Sequence, residues 1–146
     1  MKRILSIMAF VFCFYASNAQ DEKVELEKVP VNIAEAFKTK YPVTTDQKWT
    51  RDRKKNYTVQ FKVNDLKCRA WYNKEAVWGG GSFGMKFDEL PQAVKDGFAA
   101  TECKDWKLIE VFRNENGYDT VYFITVKNKE KRILSFGADG KLKKTE

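Results

Sequence analysis

The chain has 146 residues, with 27 Lys and Arg against 20 Asp and Glu for a net charge of +7, and it contains no histidine. The missing histidine excludes Ser-His-Asp and Cys-His catalysis together with the commonest zinc ligand. The basic residues are scattered among acidic ones, which describes a solvated surface better than a nucleic-acid-binding block.

Taken in chain order, Lys2 and Arg3 precede an apolar run from Ile4 to Tyr15, and the small residues Ser17 and Ala19 follow. This is the pattern of a secretory signal peptide over residues 1–19. The run falls short of the roughly 20 apolar residues that cross a bilayer. Phe12 stands where a lipoprotein signal would place a small residue before Cys13. Cleavage after Ala19 would take the charge from +7 to +5, with 25 basic against 20 acidic residues. The remainder suits one exported domain, periplasmic or secreted, with a single core and no further membrane span.

Residues 20–28 are polar and read as a flexible lead-in. Val29-Pro30 then starts a helix with Ile33, Phe37 and Tyr41 on one face, and Pro42 ends it. A strand around Gln47–Arg53 carries Trp49. The stretch Tyr57–Tyr72 alternates apolar and polar residues on either side of Asn64-Asp65, which predicts a hairpin pairing Val63/Leu66, Phe61/Cys68, Val59/Ala70 and Tyr57/Tyr72 on one face. Val77-Trp78 resumes an extended run, and Gly79-Gly80-Gly81-Ser82 breaks it as a hinge. Leu90-Pro91 starts a second helix with Val94 and Phe98. Strands follow over Trp106–Arg113 and Tyr118–Val126, with a return through Arg132–Phe136. The later strands are apolar on both sides, Val121, Phe123, Leu134 and Phe136 against Tyr122, Ile124, Val126 and Ile133, as in strands near the middle of a structure or at an interface.

Pro30 and Pro91, like Phe37 and Phe98, are 61 positions apart, and Tyr72 and Phe136, like Val59 and Phe123, are 64 apart. The spacing predicts two copies of one unit, at 29–88 and 89–146, with a three-residue insertion in the second. The expected fold is α+β: two tandem helix-plus-antiparallel-strand repeats, with the helices packed on one face of an antiparallel sheet.

The order Val29-Pro30, Phe37, Trp49, Tyr57, Leu90-Pro91, Phe98, Tyr118 and Phe136–Lys141 (FGADGK) resembles the PepSY-like family of small exported bacterial proteins, also described as β-lactamase-inhibitor-like. The resemblance covers the mature chain. It implies a periplasmic or secreted, non-catalytic protein built from two α/β repeats on a continuous sheet.

Among functional candidates, Glu22, Glu25 and Glu27, and separately Asp88 and Glu89, lack the spacing of a calcium loop, and no glycine-rich phosphate loop joins a strand to a helix. No metal, cofactor or enzymatic activity is expected. In an oxidising compartment Cys68 and Cys103 could form a disulfide, and Cys68 could equally pack as a small hydrophobe in the apolar stripe. The polar face of the hairpin is the most suggestive feature. Gln60 and Lys62 lie opposite Lys67, Arg69 and Trp71, and a tryptophan beside basic groups can anchor a protein or cell-envelope partner. The alternative is a polyanion, nucleic acid or anionic glycan, held by Lys62, Lys67 and Arg69.

Overall fold

The computed structural model describes residues 21–146, so the expected signal peptide lies outside the described residues. Nine strands form one antiparallel sheet whose spatial order follows the chain: β1 (Glu22–Val24), β2 (Thr45–Arg51), β3 (Tyr57–Val63), β4 (Leu66–Tyr72), β5 (Trp78–Met85), β6 (Lys107–Glu115), β7 (Thr120–Lys127), β8 (Lys131–Gly137) and β9 (Leu142–Thr145). Helix α1 (Val31–Lys40) joins β1 to β2, and α2 (Gln92–Ala99) joins β5 to β6.

This corrects the expected α+β fold of two tandem helix-plus-strand repeats. Among the described residues the fold is largely β, a single nine-stranded sheet with two short α-helices of 10 and 8 residues. The physical reason is that segments read as lead-in and hinge pair with their neighbours, and Leu142–Thr145 adds a further strand beside β8. Glu22–Val24 is no frayed lead-in: Val24 pairs with Trp49 and is buried, while Glu22 meets Arg51. The glycine run is no hinge, because Gly79–Gly81 lie within β5 between β4 and β6.

The hairpin of β3 and β4 has the register its turn predicts, including Val63↔Leu66, Phe61↔Cys68, Val59↔Ala70 and Tyr57↔Tyr72. Asn64 and Asp65 both have positive φ, 49° and 64°, as a two-residue turn of the right twist requires. In the later hairpin the apolar sets are grouped differently from expectation. The pairs are Tyr122↔Phe136 and Ile124↔Leu134, with Phe123 opposite Ser135. The connection runs from Lys127 to Lys131 and is one residue longer than a two-residue turn, which exchanges the faces of β8 relative to β7.

Both helices cover the same face of the sheet. Ile33 and Phe37 of α1 pack on Trp49, Val59, Phe61, Ala70 and Tyr72, and Val94 and Phe98 of α2 pack on Val111, Ile124, Val126, Leu134 and Phe136. On β5, Phe83 belongs to the first cluster and Met85 to the second. Residues two apart on a strand point the same way, so one strand face carries both cores. Trp78 closes the end of the first, with Lys40 Nζ 4.2 Å from its ring. Trp106 flanks the second beneath the Arg132 guanidinium, 4.9 Å away.

Candidate functional site

Strand alternation sends Gln60, Lys62, Lys67, Arg69 and Trp71 to the face without helices, because their neighbours Val59, Phe61, Cys68 and Ala70 are in the core. The register brings them together as Gln60↔Arg69, Lys62↔Lys67 and Thr58↔Trp71. Lys48 of β2 extends the group beside Gln60. A shallow groove of about 780 Å³ runs over this area from Asp46 to Ser82, and a second of about 310 Å³ continues it between Arg69 and Trp71.

The charges in the groove are unequally satisfied. Lys62 Nζ lies 2.7 Å from Asp46 Oδ2, and the hydrogen bond and charge of Lys62 hold the Asp46 carboxyl below its ordinary value while Asp46 raises Lys62. Among the described residues, no carboxylate lies within salt-bridge reach of Lys48, Lys67 or Arg69. None of the three is in an ion pair among the described residues, although the charge of Lys48 also helps to lower the Asp46 carboxyl.

Trp71 is partly exposed on this face. The edge of its indole that carries Nε1 lies against Gly79 and Gly80: a Cβ at Gly79 would stand 2.8 Å from Trp71 Cδ1, and one at Gly80 would stand 2.7 Å from Cζ2. A bulge between Trp71 and Tyr72 and the positive φ of Gly80, 143°, shape that seat. The glycines therefore hold the tryptophan against the sheet.

Sequence reasoning missed the other half of the same face. Phe112 and Phe123 are cross-strand neighbours pointing away from the helices, with ring centroids 4.8 Å apart and planes within 4°. Their signal was the two-sided apolarity of β7, which alternation alone could not assign to a face once β8 was mispaired. Between the basic and aromatic zones, β5 presents Gly80, Ser82 and Gly84.

Cys68 and Cys103 are free, buried thiols in separate clusters. Burial pushes the Cys68 thiol above its ordinary value. Among the described residues no group of three His, Cys, Asp or Glu side chains could hold a metal, and no helix is long and apolar enough to cross a membrane.

The chain matches no family model and no curated protein. Solved structures share its fold. A protein of Bacteroides eggerthii, provisionally described as periplasmic, superposes with a TM-score of 0.68 at 24% identity, over 80% of this chain and 87% of its own. A DUF2874 family protein of Bacteroides uniformis gives 0.67 at 22%, over 80% and 88%. A BLIP-like protein of Bacteroides fragilis gives 0.65 at 24%, over 79% and 83%. At this identity the likeness is one of fold. It agrees with the β-lactamase-inhibitor-like side of the resemblance, and the PepSY side draws no support from it.

Proposed function

We propose that this is an exported, non-enzymatic binding protein that holds a protein or cell-envelope partner on the open sheet face around Trp71 and Arg69. The observation that carries the reading is the seating of Trp71: a large aromatic set against glycine backbone, partly exposed, beside Arg69, which is in no ion pair among the described residues. Tryptophan and arginine dominate the energetics of protein interfaces, and a rigidly seated ring loses little freedom on binding. The provisional periplasmic description of the Bacteroides eggerthii structure supports export. Polyanion binding through Lys62, Lys67 and Arg69 has weaker support, because Asp46 already neutralises Lys62.

The test is capture of partners from an envelope extract by the purified protein. Replacing Trp71→Ala together with Arg69→Ala should abolish a specific capture while circular dichroism stays unchanged. Retention of that capture by the double variant would rule out the site. A polyanion binder would instead lose affinity steeply with added salt whatever stands at Trp71.

A further inference from the structure

The larger groove on the open face runs across the strands, from Asp46 and Lys48 on β2 past Lys62 and Arg69 to Ser82 on β5. The register carries the same course on to β7. Lys62 faces Lys67, Gly84 faces Phe112, and Phe112 faces Phe123. Gly84 lies beside Lys67, whose carbonyl oxygen would stand 2.8 Å from a Cβ at that glycine. Taken strand by strand from β3 to β7, the row is two cations, one bare step, and a stacked pair of partly exposed rings. Lys62 has Asp46 as its carboxylate, whereas Lys67 and Arg69 are exposed and in no ion pair among the described residues. Lys62 and Lys67 are also like charges set directly opposite, which costs stability in the free protein.

An occupant that touches both the cations and the rings has to cross the strands, because β4 and β6 are two inter-strand spacings apart, about 10 Å. On that course it meets one strand about every 4.8 Å. A turn of α-helix advances about 5.4 Å, so one residue of a single helix face falls on each strand, with about 2 Å of drift over four spacings. An extended chain returns to the same side only about every 6.7 Å and drifts by about 8 Å, more than a whole strand. Resting on the reading of this face as a docking surface, we propose that the partner element is an amphipathic α-helix laid across β3 to β7, acidic over β3 and β4, small over Gly84 and apolar over Phe112 and Phe123. Its carboxylates meet Lys67 and Arg69, and its apolar side chains cover the stacked rings. Charge complementarity selects an acidic over a basic helix. The rings select against a polyanion, which has nothing to place there.

The probe is a capped, dye-labelled helical peptide of twenty-two residues in an alanine and glutamine host, titrated by fluorescence anisotropy against the full chain. It carries glutamate at its fourth and eighth positions, alanine at its eleventh and twelfth, and leucine at its fifteenth and nineteenth. Saturable binding is expected, weakened at least about tenfold by Lys67→Glu. That exposed substitution removes a like-charge pair, so the fold is kept, and a peptide with lysine in place of glutamate should bind the variant better than it binds the original chain. Proline at the eleventh position, which breaks the helix, should also weaken binding at least about tenfold, and so should serine in place of both leucines. No saturable binding, binding unchanged by Lys67→Glu, or equal binding of the proline or serine peptide would each overturn the proposal. The docking reading fails separately, if envelope capture survives Trp71→Ala with Arg69→Ala. Should that double variant lose capture while the helical peptide fails to bind the original chain, the face stands and the crossing helix falls.

Discussion

Thr125 shows how finely this sheet is filled. Its side chain is wholly buried and its Oγ1 has no hydrogen-bond partner, as is true of Tyr72 Oη. A hydroxyl taken out of water without compensation costs about 1–3 kcal/mol, and valine has nearly the same shape. Thr125→Val should therefore raise stability by about 1 kcal/mol in urea denaturation; a lowered midpoint would mean that the hydroxyl is satisfied after all. At this scale the hairpin was the most legible part of the chain. Once Asn64-Asp65 fixed the turn, a period of two decided the side of every residue from Tyr57 to Tyr72, so Gln60, Arg69 and Trp71 were placed together. Phe112 and Phe123 were not, because their facing depends on a later connection whose length is not written in any turn-specific dipeptide. Asp46 could not be foreseen as the partner of Lys62, since that contact follows from a register shift between Thr45 and Lys48.

Among the elements, α2 is locked by its backbone as well as by Val94 and Phe98. A side chain at Gly97 would strike the carbonyl oxygen of Gly140, and one at Gly140, whose φ is 79°, would strike Ala93. Alanine in a helix interior ordinarily gains about 1 kcal/mol over glycine. Gly97→Ala should do the opposite here, costing on the order of 1–3 kcal/mol because the turn after β8 must move away. A more stable variant would show that the helix and turn are not in close contact. The proline starts and apolar spacing revealed both helices, since Pro30 and Pro91 precede α1 and α2 by one residue. Strand β5 was illegible for the opposite reason. Glycines weaken strands on their own account, and their presence here follows from tertiary neighbours: the Trp71 indole against Gly79 and Gly80, the Glu115 carbonyl oxygen against Gly80, and the Phe83 ring and Arg69 carbonyl oxygen against Gly81. Strands β1 and β9 are three and four residues long, too short to show a period, and exist through pairing with β2 and β8.

For the whole molecule, buried phenols set the alkaline limit. Burial pushes Tyr72 from 10.0 up to about 12 and raises Tyr41 in the same direction. A group whose pKa is higher folded than unfolded contributes stability that is complete below its unfolded value and disappears as pH climbs through the folded one. Stability should thus hold up to about pH 10 and decline between there and about pH 12. Lys62, raised by Asp46, adds to the decline with the same sign. Urea midpoints at pH 8 and pH 11 measure it, and Tyr72→Phe should flatten part of the slope; an unchanged slope in that variant would remove Tyr72 as a cause. The doubling of motifs at 61 and 64 positions led to the wrong architecture because it counted elements and could not see that pairing runs unbroken through β5. What joins the halves is a strand whose Phe83 serves one core and whose Met85 serves the other.

Every strand in this sheet lies beside the strands that precede and follow it in the chain. Such wiring keeps contacts local and the search for partners short. A polypeptide delivered end-first, from a ribosome or through a pore, would find each newcomer's neighbour already laid down, and the sheet could lengthen by accretion without ever reserving a slot for a segment still to arrive.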